Sequence, residues 1–237
     1  MRMPEPPERR TMPAGLVRSL LLLLSGLLLT AALWPVLWDL LQGPRDLYAL
    51  SADELEGTYA AAQLDTIYDW YADSVAATAD GSQVPAAREY LVPLGDGRTF
   101  IGVEVPADLI PTGDHVLEQT MLWLQDPDAY FWDGSYLEVR GEIRPMDEDT
   151  RAMYYDLLRN YYGVTEEDLV HFPPLVLVHG ELHGLKGGTI TVLGLAALFF
   201  LALGGAGIVR ALTAHRRRVT FPGEEYRRET DLQTTER

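Results

Sequence analysis

Residues 187–209 constrain this chain more than any other stretch. They number twenty-three, include Ile190, Val192, Leu193, Leu195, Leu198, Phe199, Phe200, Leu201 and Leu203, and carry no charge between Lys186 and Arg210. At about 1.5 Å per residue, a helix of this length spans the roughly 30 Å hydrocarbon core of a bilayer. The run therefore predicts a transmembrane helix over residues 187–212. Arg210, Arg216, Arg217 and Arg218 follow at once, and such a cluster marks the cytoplasmic end of a span.

A second uncharged run covers residues 19–38, dominated by leucine and carrying Trp34 and Trp38 at its far end before Asp39. Tryptophan there fits a membrane–water interface. The rival reading is a cleaved secretory signal, since Thr30, Ala31 and Ala32 make a passable cleavage pattern. Against it, the apolar run continues to Leu41 and Trp34-Pro35 follows the site immediately, which favours a retained helix over residues 16–41. Two helices of opposite direction leave the tails at 1–15 and 213–237 in the cytoplasm of a multi-pass plasma-membrane protein. They place residues 43–186 outside. No acid or base sits in the middle of either run, which argues against a proton or ion path through this chain alone.

The formal net charge of -16 hides a segregation: residues 43–186 hold 27 Asp and Glu against 8 Lys and Arg, a net of -19. That segment is long enough for one domain with its own core. Its charge repels phosphate backbones, so no nucleic-acid partner is expected. Cysteine is absent, which excludes disulfides, thiolate catalysis and cysteine-ligated metals.

Within the acidic segment, Ser51 with Glu54, and more loosely Thr165 with Asp168, have the capping-box arrangement of a helical turn. Gly57 should stop the first of these turns. Residues 57–74 fit either period, and their aromatic and β-branched content favours a strand. Residues 76–87, small and polar around Asp80-Gly81, predict a loop. Residues 90–94 and 99–105 flank Gly95-Asp96-Gly97, whose glycines allow the positive φ of a tight hairpin, with Pro93 at a sheet edge or bulge. Residues 114–125 predict a helix capped by Asp114 and closed by Pro127, with Val116, Leu117, Met121 and Leu124 on its apolar face. Residues 136–144 alternate strictly, with Leu137, Val139, Gly141 and Ile143 opposite Glu138, Arg140, Glu142 and Arg144. That is the pattern of a half-buried antiparallel strand. Acids open residues 147–163, Met153, Leu157 and Tyr161 form an i, i+4, i+8 stripe expected in the core, and Gly163 offers a C-cap. A short strand follows at 175–178. This succession indicates an α+β domain.

The runs Gly43-Pro44-Arg45-Asp46-Leu47-Tyr48, Asp53-Glu54-Leu55-Glu56-Gly57-Thr58-Tyr59 and Met146-Asp147-Glu148-Asp149-Thr150, with Tyr154 and Tyr155 and the hairpin at 90–106, resemble a known group. These are uncharacterised bacterial two-pass membrane proteins with a central domain of unknown function. The resemblance covers residues 16–218 and implies architecture only, bringing no activity, cofactor or partner. The strand-rich segment around Leu137 also resembles small OB-like barrels, a likeness that carries no function by itself.

His171, His179, Glu181 and His183 are the candidate metal ligands. Imidazole and carboxylate suit zinc, yet alternate residues on a strand lie roughly 6–7 Å apart, so Gly180 and Gly184 would have to turn the chain. The plainer reading is a polar linker beside the membrane. Asp126, Asp128, Asp133 and Glu138 are a candidate calcium group that lacks the spacing of an EF-hand loop. Ser82 and Ser135 lack a nucleophile elbow, and no phosphate-binding glycine loop is present. Tyr130, Phe131, Trp132 and Tyr136 read as core and rim, with ligand or interface contact as the sharper alternative. The run Ala202-Leu203-Gly204-Gly205-Ala206-Gly207 puts small residues at helical spacing, including Ala202 and Ala206, and predicts close helix approach, either between the two helices or with another subunit.

The leading expectation is a non-enzymatic binding or scaffold module, in contact with the bilayer and with another envelope or membrane protein. The alternative is a metal-dependent hydrolase using the juxtamembrane histidines. A signal-transmitting role is disfavoured, because residues 216–237 are too short for an output domain.

Overall fold

The two uncharged runs fold as long helices, α1 (Ala14–Gln42) and α4 (Gly187–Thr220), in a computed structural model that describes residues 14–78, 81–128 and 131–220. Most of the expected N-terminal tail, the C-terminal tail beyond residue 220, Asp80 of the predicted loop and Tyr130 of the aromatic group lie outside the described residues. Gly15–Gln42 and Gly187–Ala214 are each long and apolar enough to cross a membrane. α1 runs unbroken through Thr30, Ala31 and Ala32. The hydroxyls of Ser19, Ser25 and Thr30 each donate to the carbonyl four residues earlier, which satisfies them within their own helix.

The chain divides into two units, one of residues 35–187 and one containing the helical segments on either side. In the helical unit, glycine permits contact between the two helices. A Cβ on Gly26 would stand 2.9 Å from Leu201 Cγ, and one on Gly204 would stand 2.5 Å from the Leu23 backbone nitrogen. Gly207 lies against Ser19 in the same way. The expected small-residue contact therefore exists: Gly204 and Gly207 of the run 202–207 make it together with Gly26 of α1, while Ala202 and Ala206 are exposed. Only glycine brings the two backbones this close.

The other unit is built on a sheet of seven strands: β1 (Arg45–Asp46), β2 (Tyr59–Leu64), β3 (Asp69–Ala77), β4 (Gln83–Pro93), β5 (Phe100–Pro106), β6 (Leu137–Pro145) and β7 (Leu175–His179). Two helices belong to it, α2 (Ile110–Gln125) and α3 (Glu148–Asn160), with a small separate hairpin of β8 (Glu181–Leu182) and β9 (Leu185–Lys186). The strand order is β1-β2-β6-β7-β5-β4-β3. β1 with β2 and β5 with β7 are parallel, and the other neighbours are antiparallel. The fold is α+β as expected. The sheet is mixed, however, and its linear order makes β1 and β3 end strands instead of closing an OB-like barrel.

The period of two in β6 is what the sheet needs. Leu137, Val139 and Ile143 are fully buried on the face that also holds Leu64, Tyr90, Val92, Ile101, Val103, Val105 and Leu177, under Ile110 and Val116 of α2. Each fully buried aliphatic side chain contributes about 1.5–3 kcal/mol. The opposite face gathers Tyr71, Ala72, Leu91, Val176 and Val178 against Met146, Tyr154 and Leu158 of the α3 segment. Between β2 and β3, the Ile67 N–H donates to the buried Thr120 hydroxyl of α2 at 3.1 Å. That bond ties the break in the strand to the helix.

Several elements depart from the sequence reading. Residues 57–74 are two strands, not one. The predicted loop at 76–87 is mostly ladder: β3 continues to Ala77 and β4 begins at Gln83, because a neighbouring strand supplies backbone partners that the small side chains do not. Pro93 pairs with Phe100 at the end of β4, beyond the last β3 partner, so its missing N–H costs no ladder bond. In the turn, Gly97 has φ +64, while Gly95 is needed because the Tyr48 carbonyl presses against it. α2 starts at Ile110 with Pro111 in its first turn, and Asp114 lies inside the helix instead of capping it. Leu124 is exposed and Thr120 is buried. In α3 the buried stripe is Thr150, Tyr154 and Leu158, while Met153 and Tyr161 are exposed, a rotation of one residue from the expected Met153, Leu157 and Tyr161.

Candidate functional site

Alternation along β4 sends adjacent charges to opposite faces of the sheet. Arg88 and Tyr90 face α2, and Glu89 and Leu91 face α3. The Arg88 guanidinium grips both oxygens of Asp73, with Nε–Oδ1 2.6 Å and Nη2–Oδ2 2.9 Å, and donates through Nη1 to both oxygens of Asp114 at 2.8 and 2.9 Å. It also lies 4.6 Å from the Trp70 ring centre, a cation–π distance. The Tyr90 hydroxyl donates to Asp114 Oδ1 at 2.8 Å and lies 3.1 Å from the Ile110 carbonyl. Hydrogen bonding to Asp73 raises the Arg88 pKa further above its ordinary value. This network joins β3, β4 and α2, and every member is paired.

Glu89 stands in the opposite situation. The hairpin register places it directly across from Glu104 on β5, and like charges in that position destabilise a ladder. The Tyr71 hydroxyl donates to Glu89 Oε2 at 2.8 Å, and Thr150 in the first turn of α3 approaches Oε1 at 3.4 Å. Burial pushes the Glu89 carboxyl up to about 7, reinforced by the Glu104 and Asp147 charges against the lowering by Tyr71 and Thr150. Burial raises Glu104 as well, opposed chiefly by Arg144, whose Nη2 lies 3.7 Å away. The Tyr71 pKa is raised well above its ordinary value, first by burial and then by Glu89. Gly102 makes room for this arrangement, because a Cβ there would collide with the Tyr71 hydroxyl and stand 2.8 Å from Met146 Cε.

Tyr71 also lines an open groove of about 610 Å³ between β3 and α3. Its other walls are Asp69 and Trp70 from β3 with Ala152, Met153, Asp156, Leu157 and Tyr161 from α3 and its C-cap. The stripe expected in the core is thus the wall of this groove. A smaller cavity of about 170 Å³ lies beside Asp65, Thr66, Gln119, Thr120, Trp123 and Trp132. Of the aromatic group, Trp132 lines that smaller cavity and Phe131 is exposed.

The four candidate metal ligands are placed separately. His171 ends the 3₁₀ turn Asp168–His171. His179 accepts the Arg140 backbone N–H at Nδ1, 3.3 Å, on the α2 face, and burial lowers its pKa. Glu181 pairs with Arg144 at 3.0 Å on the α3 face. His183 Nε2 lies 2.7 Å from Asp39 Oδ2. The chain turns at Gly180 (φ +77), and His183 (φ +51) with Gly184 (φ +68) forms the two-residue turn between β8 and β9. These turns separate the side chains onto different faces. Of the calcium candidates, Asp133 bonds to His115 at 2.9 Å. Among the described residues, no group of three or more His, Asp or Glu is arranged to hold a metal ion.

Sequence reasoning missed Glu89, Glu104 and Tyr71. The signal for the first two was present: counting outward from the Gly95-Asp96-Gly97 turn pairs Glu89 with Glu104. Their burial under α3 had no such signal.

No curated protein and no solved structure matches this chain. A family model described as a domain of unknown function (DUF8577) matches residues 9–210. That match runs from the first helix through the sheet domain into the second, so the chain belongs to the DUF8577 family of proteins of unknown function.

Proposed function

We propose that this chain is a two-pass membrane protein that holds residues 43–186 on the extracytoplasmic side as a non-enzymatic binding or scaffold module, with both termini in the cytoplasm. The two apolar helices and the arginines after the second support the anchoring. The observation that carries the binding role is the groove between β3 and α3. α3 buries Thr150, Tyr154 and Leu158 and leaves Met153 and Tyr161 exposed beside an end strand of the sheet. Exposed apolar side chains lining a concave site are suited to an external partner.

The test combines topology with proximity. Protease added to intact cells stripped of any outer barrier should cut within residues 43–186 and spare both termini. A photo-crosslinking residue at Met153 should capture a reproducible neighbour in native membranes, and one at exposed Glu56 should not. Protection of residues 43–186 until lysis overturns the topology. Equal, unselective capture at both positions overturns the binding role.

A further inference from the structure

We propose that the groove between β3 and α3 binds a lysine- or arginine-bearing segment of a partner protein. The proposal rests on the binding-module reading and names the chemistry of its ligand. Three features of the groove point to an amphipathic cation. The first is apolar: Met153 and Trp70 are each 43% exposed, Tyr161 is 82% exposed, and Leu157 completes the wall. Such a wall receives the methylene stem of a long basic side chain, and the exposed face of Tyr161 attracts its charged head, while the Trp70 ring already carries Arg88.

The second feature is charge. Asp69 and Asp156 stand in the same groove, one on each side. Their own chain engages them through neutral donors: the Tyr162 hydroxyl reaches Asp69 Oδ2 at 3.1 Å, and the Asn160 amide bonds to Asp156. Among the described residues, neither carboxylate is in an ion pair within 4.0 Å. Asp73, further along β3, is different because Arg88 already holds it. With 27 acids against 8 bases in residues 43–186, the charge of this groove favours a cation brought by another molecule.

The third feature is size. About 610 Å³ lies in the range of sites that hold a ligand of many atoms, so it accommodates a side chain with its flanking backbone. A small metal ion would leave most of it empty. An anionic lipid headgroup or a nucleic acid would meet a repelling field.

The experiment uses the full chain in nanodiscs of neutral phosphatidylcholine and a fluorescein-labelled decapeptide of alternating lysine and glycine as probe. A serine-for-lysine peptide and a glutamate-for-lysine peptide serve as comparisons. The lysine peptide should bind at least tenfold more tightly than either. The double variant Asp69→Asn with Asp156→Asn should weaken it at least tenfold, and Met153→Ser, which removes apolar surface from the wall without changing its charge, should weaken it several-fold. Asp53→Asn with Glu56→Gln removes the same charge at exposed positions away from the groove and should leave affinity within about twofold. Thermal melts of each variant show whether a loss of binding reflects a loss of fold, and Asp156→Asn alone, on the exposed side of α3, then serves in place of the double variant. Equal binding of the serine peptide, or equal loss in both double variants, overturns the proposal. If the peptides fail while Met153 still crosslinks a neighbour in native membranes, the cationic ligand falls and the binding module stands.

Discussion

The two faces of the β-sheet handle charge in opposite ways, and the contrast is sharpest at two adjacent residues. Arg88 faces α2 and has two carboxylate partners, one of them also bonded by the Tyr90 hydroxyl, and a ring face around it. Glu89 faces α3 and meets a second glutamate across the ladder, with one tyrosine hydroxyl at close range. A half-buried charge with full partners stabilises the elements it joins, whereas a half-buried acid beside another acid holds its proton instead. The α2 face therefore reads as a fixed joint, and the α3 face, which carries the groove, as the one whose charge state depends on pH.

The largest expected effect comes from breaking the joint. Arg88→Ala strands Asp73 and Asp114 beside each other and removes the contact with Trp70. Both acids are partly exposed to solvent, which screens them, so the loss should be about 2–3 kcal/mol, less than for a fully buried pair. In a chain of this size that lowers the melting temperature by roughly 5–10 °C. A thermal melt of the full chain in detergent measures it, and an unchanged melting temperature would show that the network contributes no net stability.

The next effect concerns pH. The folded chain holds the Glu89 proton up to about 7, against an unfolded value near 4.5. Between those values the folded state keeps a proton that the unfolded state has released. Stability is therefore full below the unfolded value and falls as pH rises through 7, by on the order of 2–3 kcal/mol. Glu104 is shifted in the same direction and adds to the trend. Glu54, Asp96 and Asp133, each lowered to about 2 by hydrogen bonds, lose their stabilisation only at acid pH, below this window, while His179, lowered by burial, opposes the trend within it. Glu89→Gln should flatten the dependence, read as denaturant midpoints from pH 5 to 8. An identical slope in the variant would remove Glu89 as the cause.

The smallest effect sharpens the same contrast. Arg144 is the cation nearest Glu104, at 3.7 Å, and is also held by Glu181 at 3.0 Å. Its side chain is about half exposed, so Arg144→Gln should cost under about 1 kcal/mol. It should also move the midpoint of the pH dependence upward by a fraction of a unit, visible as a shift of the same titration. A downward shift would mean that Arg144 does not act on the carboxyl pair.

Much of this arrangement was legible beforehand. Strict alternation in residues 137–144 placed β6 and its buried face, and the glycine-bracketed Asp96 placed the β4–β5 turn. The acids crowding the start of residues 147–163 marked the start of α3, where the structure adds that the Asp147 carboxylate caps the helix by accepting the Thr150 N–H at 2.8 Å. The face of α3 was misread because Met153, Leu157 and Tyr161 are more apolar than the buried set of Thr150, Tyr154 and Leu158, one residue further round the helix. Partners settled that choice: Tyr154 is buried with its hydroxyl 3.2 Å from the Phe100 carbonyl. His179 and Glu181 lie apart for a similar reason, since nearness in sequence counts for little once the chain turns at Gly180 between them.

By itself the sequence determined where charge is absent and where it accumulates. It thereby determined two apolar helices, an acidic α+β segment between them and the period of its clearest strand, because these depend only on composition and spacing. Tertiary structure decided which acids meet, which face of α3 is buried and which apolar stripe remains to line a groove. Those outcomes depend on what lies across the ladder and over the sheet, and residues distant along the chain supply both.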